Sequence, residues 1–353
     1  MTSLTTGPAL GVPRRWRMSP SATITLVTSV ATALVLGVLG VIVPPTASAA
    51  PSGTRIERVV QEGPTQFAAY VHSASMDKTI KVQVLTPRRP SGPRPTMYML
   101  SGLGEESPDT SIWLLKSDAA TFFADKNVNV ALPIAGNGSF YTDWQRDDPT
   151  LGRYKWETFL TKELPSVLEP RFDGNGGRGI GGLSMGAGSA LTLAARNPGF
   201  YRAVAAYSGC YTTTGPAGQA YPRGIVSAFG GNADNMWGGP TDPDWAAHDV
   251  LRRSAGLRGS GVYVSTGSGQ SGRYDAPGFP GNSNPTDRQI VGGAIEVGSL
   301  WCTQNLQAQL AAQGIRASFH YVNPGTHSWP YWVDRLHQSW PFIQSNLNGR
   351  GNR

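Results

Sequence analysis

Cysteine is scarce: only Cys210 and Cys302 occur in 353 residues. No C-x-x-C can be written from them, which excludes a zinc site or a redox pair of that spacing. In an exported chain an even pair can close one disulfide, and otherwise both remain thiols; the sequence leaves the two open. Charge is scarce too. Asp, Glu, Lys and Arg make up 15% of the chain and nowhere form a basic run, so nucleic acid is not an expected partner. The net charge is +7, but Arg14, Arg15 and Arg17 precede the first acidic residue, Glu57, and subtracting those three leaves +4. Such a mild excess fits association with an anionic cell envelope. Beyond residue 43 no apolar run is long enough to cross a bilayer. No lysine completes a phosphate-binding glycine loop, and no metal or cofactor is expected.

What is present begins with a leader. The three arginines are followed by the apolar run ATITLVTSVATALVLGVLGVIV, by Pro44 and Pro45, and by Ala47-Ser48-Ala49. A positive region, an apolar region and a small-residue site in that order describe a secretory signal peptide over residues 1–49, cut near Ala49; an uncleaved anchor is the alternative. Residues 50–353 are then long enough for one large α/β domain and show no internal repeat or linker.

Residues 51–75 read as a polar lead-in. The stretch SMDKTIKVQVLTP then alternates through Ile80, Val82 and Val84, which is strand periodicity. Short apolar runs recur at TMYML, VNVALPI, RGIGG, YRAVAAYSG, GVYVSTGSG and RASFHYV. Between them lie helical segments: WLLKSDAATFFADKN, YKWETFLTKELPSVLEPRF with Glu157 and Glu163 facing out, AGSALTLAARNP, and residues 296–313. A last helix follows Pro330. Residues 210–257 are rich in Gly, Pro, Asp and Trp, and 270–293 read as one long loop. Strands alternating with helices predict a doubly wound, mostly parallel sheet flanked by helices.

Gly182-Leu183-Ser184-Met185-Gly186 fits G-x-S-x-G and lies between a predicted strand and a predicted helix. A nucleophile elbow needs that context, because its sharp turn leaves room only for glycine two residues before and after the serine. The base must come later. His320 falls within a strand, His337 within a helix, and His248 precedes any acid-bearing strand loop. His327, in VNPGTHSWPYW, follows the last predicted strand, where a catalytic histidine belongs in the order Ser…acid…His.

The segments SMDKTIKVQV, SFYTDW, YKWETFLTKELP, GLSMG, DNMWGGPTDPDW and NPGTHSWPYW together resemble the mycolyltransferases of the antigen 85 group and their corynebacterial relatives. The resemblance spans most of the chain beyond the leader. It implies an α/β-hydrolase fold with Ser184 as nucleophile, His327 as base and Glu296 as the acid; Asp275 and then Asp287 are the rival acids. It implies an oxyanion hole from the N–H groups of Met185 and Leu103. Trp329 matches a residue lining the sugar site, and Asp143 could bond a sugar or hold a turn. Trp144, Trp156 and Trp237 read as structural. The family pattern places Asp and Arg around Gly-Leu, both meeting sugar; Ser101 and Gly104 stand there instead, so a contact at Ser101 would differ in kind. The implied substrates are trehalose mycolate esters, with arabinogalactan or another sugar as acceptor. A secreted carboxylesterase is the rival enzyme, and a non-catalytic envelope-binding protein the rival outside enzymes; a binder has no need of all three of Ser184, His327 and Glu296.

Overall fold

The computed structural model describes residues 52–281 and 284–349. The leader and its cleavage site lie outside the described residues. Among the described residues no helix is long and apolar enough to cross a membrane.

Among the described residues the strands are β1 (Arg55–Gly63), β2 (Gln66–Ser73), β3 (Lys78–Leu85), β4 (Arg94–Leu100), β5 (Asn129–Ile134), β6 (Gly174–Leu183), β7 (Ala203–Tyr207), β8 (Gly261–Gly267) and β9 (Ser318–Val322). They form one sheet in the order β1-β2-β3-β5-β4-β6-β7-β8-β9. From β5 to β9 every neighbour pair is parallel, and β1–β3 add an antiparallel edge. Helices cover both faces, and the strand residues divide between them with period two. Tyr98, Leu100, Ala131, Val204, Ala206, Val262 and Val264 face one core. Met97, Met99, Val130, Leu132, Ala203, Ala205, Tyr207 and Tyr263 face the other. Strands buried on both sides read as continuous apolar runs, which is why β4, β5, β7 and β8 were legible. This is the α/β-hydrolase arrangement.

Several boundaries differ from the sequence reading. The lead-in is two strands, β1 and β2: β1 is the mostly exposed outer strand, laddered to β2, whose Ala69 and Val71 lie in the core. The helix placed at 296–313 is Gly293–Ala312, reached through a helical turn that starts at Pro285 behind an Asn284 cap, so the preceding loop is shorter than expected. WLLKSDAATFFADKN breaks at Ser117 into Ile112–Lys116 and Ala119–Phe123. A helix, Gly215–Ala228, runs through the Gly/Pro-rich region despite Pro222. Glu163 points inward: it is fully buried and accepts Ser73 Oγ at 2.5 Å and Ser75 N–H at 2.7 Å. Its spacing, seven, four and three residues after the buried Trp156, Phe159 and Leu160, sets it on the inward face of the helix, where Ser73 and Ser75 satisfy the carboxylate.

Cys210 and Cys302 are joined as a disulfide, with Cα atoms 5.0 Å apart. It ties the segment after β7 to helix Gly293–Ala312.

Candidate active site

Ser184 follows the last residue of β6 and precedes helix Met185–Arg196. Its backbone is left-handed, with φ 53° and ψ −122°. A non-glycine residue there costs about 1–3 kcal/mol and persists only where its surroundings enforce it. They do so here by close approach. A Cβ at Gly182 would lie 2.5 Å from the Gly186 carbonyl, and one at Gly186 only 2.2 Å from the Ser101 oxygen. Met185 is the first residue of its helix, so its N–H has no intrahelical acceptor and the helix N-terminus favours negative charge beside it.

His327 lies on the loop between β9 and helix Trp329–Leu347. Its Nδ1 is 2.7 Å from Oε2 of Glu296, in the first turn of helix Gly293–Ala312. Glu296 is fully buried. Its Oε1 accepts Ser208 Oγ at 2.7 Å, Thr266 Oγ1 at 3.1 Å and the Gly267 N–H. Burial alone would raise this carboxyl; the hydrogen bond and charge of His327, with the Ser208 and Gly267 bonds, outweigh it and hold the acid below its ordinary range. Trp332 Nε1–H donates to Ser208 Oγ at 3.0 Å, and its ring meets His327 edge-on at 4.8 Å. Ser208, Thr266 and Trp332 were missed in the sequence. The usable signal for Ser208 was its place just past β7, at the same carboxyl end of the sheet as Ser184.

Asp275 is occupied elsewhere. It accepts Thr326 Oγ1 at 2.7 Å, Tyr331 hydroxyl at 2.8 Å and Gly272 N–H at 2.8 Å, bracing the histidine loop. Asp287 is exposed in the turn capped by Asn284. His248 is buried between Thr142 Oγ1, at 2.9 Å, and the Asp244 carbonyl, at 2.8 Å, and stacks on Trp237. His320 stacks on Tyr263, and His337 bonds Asp118 at 2.9 Å.

A pocket of about 340 Å³ is lined by Gly102, Leu103, Glu105, Ser184, His327 and Trp329, among others. Trp329 is half-buried there, its ring edge-to-face with Trp113 at 5.3 Å and Trp332 at 5.5 Å. Of the two further sugar candidates, neither lines this pocket. Ser101 is buried and gives its hydroxyl to Glu105. Asp143 holds a turn: its carboxylate accepts Thr158 N–H at 3.0 Å and Thr158 Oγ1 at 2.6 Å. Trp144 and Trp156 are fully buried and Trp237 nearly so, as core residues. Glu105 is a carboxyl the sequence reading did not weigh, and burial pushes it up to about 7 against the hydrogen bonds from Ser101 and Ile112.

The Esterase family model matches residues 73–343. The chain is 32% identical over 291 residues to the diacylglycerol acyltransferase/mycolyltransferase Ag85A of Mycobacterium tuberculosis, covering 80% of this chain and 81% of that protein. It is 33% identical over 293 residues to Ag85C of Mycobacterium leprae, covering 80% and 82%. Among solved structures, Mycobacterium tuberculosis MPT51 superposes with a TM-score of 0.65 at 26% identity, covering 79% of this chain and 97% of that one. An S-formylglutathione hydrolase from Agrobacterium tumefaciens matches with a TM-score of 0.61 at 15% identity over 83% and 99%, a likeness of fold alone. With nucleophile-elbow geometry, a histidine–carboxylate pair and a shared pocket at the carboxyl ends of the strands, the chain belongs to the esterase family and, within it, to the antigen 85 mycolyltransferases and their relatives.

Proposed function

We propose that the protein is an exported acyltransferase. It moves a mycolyl group from trehalose monomycolate to a sugar hydroxyl, on another trehalose ester or on cell-wall arabinogalactan, through an acyl-Ser184 intermediate. The observation that supports this reading is His327, paired with Glu296 at 2.7 Å, lining one pocket with a strained Ser184. The acyl class comes from the name its relatives bear, diacylglycerol acyltransferase/mycolyltransferase. Export rests on the signal-peptide pattern of residues 1–49.

Ser184 Oγ attacks the ester carbonyl as His327 Nε2 takes its proton. Glu296, on Nδ1, fixes the tautomer and stabilises the imidazolium. The oxyanion receives the N–H groups of Met185 and Leu103. Collapse breaks the acyl–oxygen bond, and the departing trehalose oxygen takes the proton from His327. An acceptor hydroxyl then gives its proton to His327 and attacks the acyl carbon; the acyl–Oγ bond breaks as His327 passes that proton to Ser184 Oγ, restoring both groups.

Transfer and hydrolysis differ only in the acceptor. Water stands at about 55 M, and an oriented hydroxyl outcompetes it because positioning supplies effective molarities of about 10⁵ M or more. Trp329, held on two other tryptophans, offers a rigid ring for stacking a sugar. The test is partitioning of a trehalose monoacyl ester with and without labelled trehalose, after fluorophosphonate labelling has been mapped to Ser184. Diester formation and label exchange support transfer. Free fatty acid dominating at every acceptor concentration leaves the carboxylesterase, and failure of Ser184 to label removes the acyl-serine altogether.

A further inference from the structure

The loop between β4 and helix Ile112–Lys116 carries the Leu103 N–H, and little about Leu103 itself holds it. Its side chain is 52% exposed. Its carbonyl accepts Gly138 N–H at 2.9 Å. What closes the loop is a carboxyl with no part in the proton transfers. Glu105 Oε1 accepts Ser101 Oγ at the loop's start, and Oε2 accepts Ile112 N–H at 2.6 Å at its end. The Glu105 N–H donates to Asn137 Oδ1 at 3.0 Å. Glycine is needed next door, since a Cβ at Gly104 would lie 2.9 Å from Asn137 Oδ1 and 3.0 Å from Phe229 Cζ.

We propose that Glu105 is a positioning residue for the oxyanion hole: its carboxyl braces Ser101 to Ile112 and so fixes the Leu103 N–H beside that of Met185. The inference rests on the acyl-serine reading above. Glu105 also lines the catalytic pocket, where an ionised carboxylate would oppose an oxyanion growing on the substrate. The groups around it do not neutralise it. Glu106 adds like charge and is itself paired with Lys116 at 2.8 Å; Tyr141 lends only its hydroxyl, to the Ser101 N–H at 3.2 Å; His327 belongs to Glu296. Burial favours the neutral acid. A neutral Glu105 keeps the brace, its O–H donating to Ser101 Oγ while the other oxygen still accepts Ile112 N–H. An amide makes the same two bonds. Alanine makes neither.

The test is steady-state hydrolysis of p-nitrophenyl butyrate by the purified protein and its variants. Loss of one oxyanion-hole donor costs about 10²–10³ in kcat, so a donor left loose should cost about tenfold or more. Glu105→Ala is expected to lose that much in kcat with KM within about threefold, while Glu105→Gln stays within about threefold of wild type in both. Ser101→Ala, which removes one arm, is expected to lose severalfold in kcat and decides the question if Glu105→Ala does not fold. Wild-type kcat in the alanine variants, or a loss in Glu105→Gln as large as in Glu105→Ala, overturns the brace while leaving acyl-Ser184 intact. A wild-type protein that neither turns over ester nor labels at Ser184 overturns both.

Discussion

Glu296→Gln isolates one carboxylate oxygen. In the native site Oε1 receives three donors, from Ser208, Thr266 and Gly267, and Oε2 faces His327 Nδ1. An amide has one acceptor oxygen, and three donors compel it to sit at the Oε1 position. The NH₂ then points at Nδ1. Two donors cannot share a hydrogen bond, so His327 must adopt the tautomer with Nδ1 bare and Nε2 protonated. That tautomer cannot take the Ser184 proton, and the negative charge that stabilised the imidazolium is gone. The corresponding change in serine proteases lowers kcat by about 10⁴. A loss of about 10³–10⁴ is expected here, or about 4–5.5 kcal/mol of barrier. The fold should survive, since three of four contacts are kept. A second signature is acid stability. The native carboxyl is held below its ordinary 4.5, so its contribution is present above that pH and is lost as pH falls through the lower folded value. The amide variant should lack that arm of the stability curve. The assay is p-nitrophenyl butyrate turnover with melting temperature followed from pH 7 downwards. A Glu296→Gln protein with kcat within about tenfold of wild type would refute the assignment of the acid.

Asp275→Asn should act on stability rather than chemistry: with three donors converging on a buried carboxylate, a loss of about 1–3 kcal/mol with kcat within about tenfold is expected in denaturant melts and ester assays. The Cys210–Cys302 bond spans 92 residues, so chain-entropy arithmetic puts its removal at about 4–5 kcal/mol, a melting-temperature drop on the order of 10 °C on reduction or in Cys302→Ser. An unchanged melting temperature would contradict this. Because burial raises Glu105 from 4.5 to about 7, its contribution to stability is full below 4.5 and erodes as pH rises through 7; Glu105→Gln should flatten the wild-type slope of melting temperature across that interval.

The parallel core was legible because strands buried on both faces leave unbroken apolar runs, as in TMYML and VNVALPI. β1 and β2 were not, because β1 is mostly exposed and the buried face of β2 is small, chiefly Ala69 and Val71 among polar neighbours. Glu163 was misplaced because its charge was read as facing solvent, although its spacing from Trp156, Phe159 and Leu160 puts it on the buried face, where Ser73 and Ser75 pair it. At the candidate site, Ser184, His327 and Glu296 were singled out because motif, order and resemblance agree, and the fold pairs His327 with Glu296 and sets it in one pocket with Ser184. Ser208, Trp332 and Glu105 stayed hidden because they work through other side chains, and contacts such as Ser208–Glu296 join positions far apart in the chain. At Ser101 and Asp143, where sugar contacts were expected, each polar group has a partner within the protein, which composition does not reveal.

The disulfide also decides which parts of the molecule open together. Glu296 rides on a helix that meets the sheet late in the chain, and such peripheral helices ordinarily exchange amide protons through local fluctuations of their own. Cys302 anchors that helix to the segment leaving β7, and β7 is hydrogen-bonded along its length to β6, which presents Ser184. Glu296 and Ser184 are thereby placed in one cooperative unit. With the disulfide closed, the two part only when the central sheet itself gives way.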